Sequence, residues 1–141
     1  MKLRYELDLN QPDNKQISGG TDLAGALPIL VKASGILQGG TGFLYKDSEP
    51  QAKLRIAAEN ELGIFLGMTA GDQEYLSLGD ADALAETVGV LGDDQQIARG
   101  LFIPVTAALY AIRHFAETGQ PDPAVQWVSP EELPEDCDYI I

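Results

Sequence analysis

The sequence predicts an α+β fold, a mostly antiparallel sheet with one long helix packed on it. Three observations carry this. Leu3, Tyr5, Leu7 and Leu9 alternate with Lys2, Arg4, Glu6 and Asp8, the period of a half-buried strand. Short apolar runs between residues 43 and 91 alternate with turn residues at the spacing of an antiparallel meander. Val105, Ala108, Leu109, Ile112, Phe115 and Ala116 recur at intervals of three and four, the stripe of an amphipathic helix.

The elements follow in order. After the first strand, "QPDNKQISGG" reads as a loop from its Pro, Asn, Ser and Gly content. Thr21 as a cap and Asp22 in the first turn predict a short helix over 22–33, against which Gly25 and Pro28 weigh. "GGTG" at 39–42 reads as a turn leading into Phe43-Leu44-Tyr45. Leu54 and Ile56 alternate with Lys53 and Arg55, and "LGIFLGMT" and "EYLSLGD" continue the strand series. Glu59-Asn60, Gly71-Asp72 and Gly79-Asp80 mark its breaks. A short strand is expected at Val88–Leu91, and "DDQQIARG" reads as a polar loop. Pro104 suits a first helical position, where its missing N–H costs nothing, so the long helix is placed at 104–118. Gly119 stands where a left-handed cap is expected, and Pro121 and Pro123 prevent continuation. "AVQWV" at 124–128 resumes as a strand, with Val125 and Trp127 on one face. At the end of the acidic, Pro-bearing tail a short strand is expected at Tyr139–Ile141.

Residues 1–141 suit a single domain, long enough to bury one core without disulfides or metals. The single cysteine, Cys137, excludes an internal disulfide framework and points to a reducing, cytoplasmic home. The N-terminus has no apolar segment of the kind a signal peptide needs, and the longest uncharged run is too short to span a bilayer.

Charge is the most informative bulk property. The chain carries 22 acidic and 9 basic residues, a net of −13. Residues 1–70 hold seven Lys or Arg against eight Asp or Glu. Residues 71–141 hold two against fourteen, so nearly the whole imbalance lies in the second half. Asp72, Glu74, Asp80, Asp82, Glu86, Asp93 and Asp94 form a window without a cation. Such a field disfavours nucleic acid and anionic membrane as partners and attracts a basic protein. The plainer alternative is that an acidic surface keeps the chain soluble.

Candidate catalytic groups are few. His114, the only histidine, lies beside the apolar stripe with no partner histidine for a metal, and is expected to be structural or a surface residue. Carboxylates surround Cys137 and oppose formation of its thiolate. "GGTG" lacks the Gly-Lys-Ser/Thr of a phosphate loop. Asp80, Asp82 and Glu86 do not supply the ligand series of a calcium loop. Glu131, Glu132, Glu135, Asp136 and Asp138 are a second acidic cluster, expected to be a solvated tail. No cofactor is expected, and a domain without catalysis is the reading that fits.

The C-terminal half carries a resemblance. A helix entered through Ile103-Pro104 and running to Phe115, then Thr118-Gly119, the pair Pro121 and Pro123, Val125 and Trp127, resembles the C-terminal signature of the immunity protein 1 family of bacterial polymorphic toxin systems. "LRIAAENELGIFLGMTAGDQEYLSLGD" is similar to that family's strand–turn–strand middle, so the likeness covers about residues 52–128. The family usually has one Pro midway between the Gly and the Trp, whereas here two flank Asp122. The resemblance implies a small β-rich domain that binds and blocks a cognate toxin, often a nucleic-acid deaminase or nuclease. Pro104, Phe115, Gly119, Pro121 and Trp127 are then packing residues. Toxins of that kind present basic grooves to nucleic acid, and the acidic window above is the expected toxin-facing surface. The alternative is a stand-alone domain that binds a small molecule or self-associates. Exposed sheet edges accommodate a monomer or a homodimer.

Overall fold

The computed structural model describes residues 3–9, 16–21, 40–46, 51–59, 63–84, 86–90 and 95–133. Within them the chain is an α+β protein. Its strands are β1 (Leu3–Leu9), β2 (Gln16–Thr21), β3 (Gly40–Lys46), β4 (Ala52–Glu59), β5 (Gly63–Ala70), β6 (Gln73–Ser77), β7 (Thr87–Val90), β8 (Gln95–Ala98), β9 (Phe102–Ile103) and β10 (Trp127–Val128). One α-helix, α1 (Val105–Thr118), precedes β10. The main sheet is antiparallel, in the order β2-β1-β3-β4-β5-β6-β10, with β9 paired to β5 beside β6. The series β3 to β6 is the expected meander. β7 and β8 form a separate hairpin.

Strand alternation sends two sets of side chains to opposite faces. On one face Leu54, Ile56, Ile64, Leu66 and Met68 meet Ala108, Ala111, Ile112, Phe115 and Ala116 of the helix. On the other, Ala57, Phe65 and Leu76 pack with Ile97, Ala98, Leu101 and Phe102. The sheet is thus covered on both faces along β5. Phe115 is fully buried, and its truncation to Ala is the kind of change that costs about 3–5 kcal/mol.

The helix forms where its periodicity demands, one residue later than expected. Pro104 is the flanking cap residue with extended ψ, and its carbonyl accepts the Ala108 N–H at 3.0 Å. Val105 is the first helical residue. Gly119 takes the left-handed conformation (φ 72°) that a Cβ disfavours, and its N–H donates to the Phe115 carbonyl at 2.7 Å. Lys46, reaching from β3, places its ammonium 3.4 Å from the Glu117 carbonyl, a cation at the negative end of the helix.

Several expectations need correction. The loop read over 11–20 contains β2, which pairs with β1 from Leu3–Thr21 to Asp8–Gln16. Backbone hydrogen bonds hold that strand, and its Gly19-Gly20 pair masks it in sequence. The turn expected at 39–42 is, from Gly40 onward, part of β3 paired to β4. The polar loop at 93–100 contains β8, where Ile97, opposite Val88, and Ala98 are fully buried. The strand expected at 124–128 is reduced to Trp127–Val128 because Asp122 folds the preceding residues into a turn. The helix expected at 22–33 and the strand at 139–141 lie outside the described residues.

Candidate functional site

β5 and β6 are joined by the two-residue turn Gly71-Asp72, closed by Ala70 opposite Gln73. This turn places Asp72 and Glu74 at one end of β6. β10 runs antiparallel to the other half of β6, with Trp127 opposite Ser77 and Val128 opposite Leu76. The chain then turns through a single 3-10 turn, Pro130–Glu132. Residues 72–75 and residues 127–132 become the two walls of an open cleft of about 610 Å³, with Pro121 also in its lining.

The wall formed by residues 127–132 is fixed by local chemistry. Asp122 is nine-tenths buried; its carboxylate accepts the Ala124 N–H at 2.9 Å, an Asx turn. Its carbonyl accepts the Val125 N–H at 3.1 Å and the Trp127 indole N–H at 2.8 Å. The indole is therefore oriented by a bond as well as by packing. Trp127 and Tyr75 both rest against the helix-side core while remaining partly exposed. Further along the same wall the Ser129 hydroxyl donates to the Glu132 carboxylate at 3.3 Å, and the Glu132 N–H donates to the Ser129 carbonyl at 3.0 Å. Below the cleft, Ser77 is fully buried with both hydrogen bonds made. Its hydroxyl donates to the Leu101 carbonyl at 2.7 Å and accepts the Leu66 N–H at 3.0 Å.

Among the described residues the lining holds the carboxylates of Asp72, Glu74, Glu131 and Glu132 and no Lys, Arg or His. Several other described cations are engaged elsewhere. Lys53 and Arg55 stand over the Phe43 ring at 5.0 and 4.6 Å, Arg99 meets Glu86, and Arg113 meets Glu117. The cleft is a negative, aromatic-walled groove suited to a cation with an apolar stem.

The structure thus divides the acidic window. Asp72 and Glu74 enter the cleft. Asp80, Asp82 and Glu86 lie past the opposite end of β6, a strand about 17 Å long. Asp80 caps the 3-10 turn Ala81–Ala83, its carboxylate accepting the Asp82 N–H at 3.0 Å. Glu86 pairs with Arg99 at 3.5 Å, so the cation missing from the sequence window is supplied from β8's far end. Asp93 and Asp94 lie outside the described residues. Glu131 and Glu132, expected in a solvated tail, stand in the cleft; Pro121 lines it, and Trp127 lines it besides packing on the core. Nothing in local spacing announces this, because β10 brings the two segments together from distant parts of the chain.

No family model, no curated protein and no solved structure matches the chain. Among the described residues no three His, Cys, Asp or Glu side chains converge as a metal site, and no helix is long and apolar enough to cross a membrane. His114 is half-buried on α1, away from the cleft lining.

Proposed function

We propose that this chain is a non-catalytic binding protein of the bacterial cytoplasm, an immunity protein that neutralises a basic toxin by occupying its anion-binding surface. The observation that carries the reading is the cleft whose described lining holds four carboxylates and no cation. The net charge of −13 adds a long-range field that steers a basic partner toward the chain. The resemblance of residues 52–128 to immunity proteins supports the toxin as that partner. A toxin acting on nucleic acid carries the basic groove such a surface complements.

The test is co-expression of the chain with the product of the adjacent gene. Co-purification of a stoichiometric complex, with loss of toxicity, is the expected result. Its association rate should fall steeply as salt rises, as steered encounters do. A complex whose association is indifferent to salt defeats the acidic-surface reading, and no complex at all defeats the toxin reading. A small-cation-binding domain is the second reading, favoured by a cleft volume within the range of ligand pockets. Saturable binding of a polyamine without any protein partner would select it.

A further inference from the structure

We infer that the cleft takes an extended Lys- or Arg-bearing segment of the partner, added as a strand to the outer edge of β6 that no described strand covers. The inference deepens the proposed binding role and rests on it.

Among the described residues this edge is left without a strand partner because β10 stops short. Continuing the register of Trp127–Ser77 and Val128–Leu76 would set Ser129 opposite Tyr75 and Pro130 opposite Glu74. Pro130 has no N–H to offer a ladder, and the chain leaves the sheet there in its 3-10 turn. Among the described residues, Gln73–Tyr75 has no strand beside it on that side.

The direction of the backbone groups follows from the pairing already present. The Leu78 N–H donates outward to the Gln126 carbonyl at 2.9 Å. In an antiparallel strand, alternate residues turn both backbone groups to the same edge. Leu76 and Glu74 therefore face outward with Leu78. Leu76 meets Val128, and Glu74 is left presenting its N–H and carbonyl to the cleft. An incoming strand finds there a donor and an acceptor at ladder spacing, the requirement for β-augmentation.

Charge selects the occupant. A strand at this edge has Trp127 and Tyr75 on one side of it and the carboxylates of Asp72, Glu74, Glu131 and Glu132 around it. Alternating cationic and apolar side chains satisfy both. A second copy of the chain brings a net charge of −13 to the same carboxylates and is opposed by them. Residues 134–141 carry three acids and no base, so they do not match either. The free edge is three residues long, about 10 Å, which limits pairing to a short segment.

The test titrates the full chain with a blocked six-residue peptide alternating Lys or Arg with Val or Thr. Trp127 is the only tryptophan, so its emission reports the cleft directly. The expected result is a saturable emission change, with the Glu74 amide proton becoming protected from solvent exchange. N-methylation of the peptide amide that faces Glu74 should weaken binding at least tenfold with charge unchanged. E74P, which removes the outward N–H at an edge position where proline is tolerated, should abolish binding; E74Q should only weaken it.

Equal binding of the N-methylated peptide, or an unprotected Glu74 amide at saturation, overturns strand addition. So does an equal response to an acidic peptide of the same pattern, or Glu74 protection that tracks self-association without peptide. A toxin complex that forms while the peptide fails leaves the binding role standing and removes only this inference.

Discussion

The two ends of β6 carry similar acidic sequences and use them differently. At the Gly79 end, Asp80 caps a turn and Glu86 holds Arg99, so the carboxylates serve the fold. At the Gly71 end, Asp72 and Glu74 are exposed, no cation among the described residues answers them, and two further carboxylates arrive from Pro130–Glu132. A run of acids in sequence is a uniform signal; the fold divides it into charge that is locally satisfied and charge left to act on something else. The difference between the ends is open to experiment at four levels.

The largest effect is expected where the structural end is wedged. A Cβ on Gly100 would lie 2.1 Å from the Asp80 carbonyl, and the Gly100 carbonyl accepts both the Gly79 and Asp80 N–H groups. Backbone must move to admit it. Gly100→Ala should cost about 3 kcal/mol, the upper part of the range for overpacking, read from chemical denaturation. An unchanged midpoint would show that this end is not built into the fold. The next effect belongs to the cleft. Reversing Asp72, Glu74, Glu131 and Glu132 to Lys should slow association with a basic partner at least tenfold at low salt, about 1.4 kcal/mol. Reversing Asp80, Asp82 and Glu86 should slow it less. Equal slowing by both sets would mean that total charge, rather than the cleft, does the steering. Third, Asp80→Ala removes the cap of Ala81–Ala83 and should lower stability by about 1 kcal/mol with no change in association rate.

These contrasts also mark what the sequence reveals. The helix is legible because its stripe, its Pro and its left-handed Gly all agree, and the structure moves its start by one residue only. The meander is legible from alternation at Leu54, Ile56 and their neighbours. β2 is not, since Gly19 and Gly20 carry no side chains and its backbone bonds leave no compositional trace. β8 shows only the adjacent pair Ile97 and Ala98, which makes no period-two alternation. The cleft is half legible: the acids of its first wall stand out as a charge window. The second wall depends on Asp122, whose turn aims Trp127 and brings Glu131 and Glu132 across from Glu74. That is a tertiary consequence of one buried carboxylate, and the two flanking prolines draw the eye away from it.

The smallest effect is the most discriminating about the structural end. Glu86 and Arg99 are joined at 3.5 Å, yet both side chains are more than half exposed. Water screens such a pair, and holding two long side chains together costs rotamer freedom, so exposed pairs contribute between nothing and about 1 kcal/mol. The link between these residues has a second strand: the Arg99 N–H donates to the Glu86 carbonyl at 2.7 Å, independent of either charge. Glu86→Gln should therefore change stability by less than about 0.5 kcal/mol and leave partner association within experimental error. A slower association on this substitution alone would mean that Glu86 contributes charge to the partner despite Arg99. The division between the two ends of β6 would then be one of degree, set by distance from the cleft rather than by local pairing.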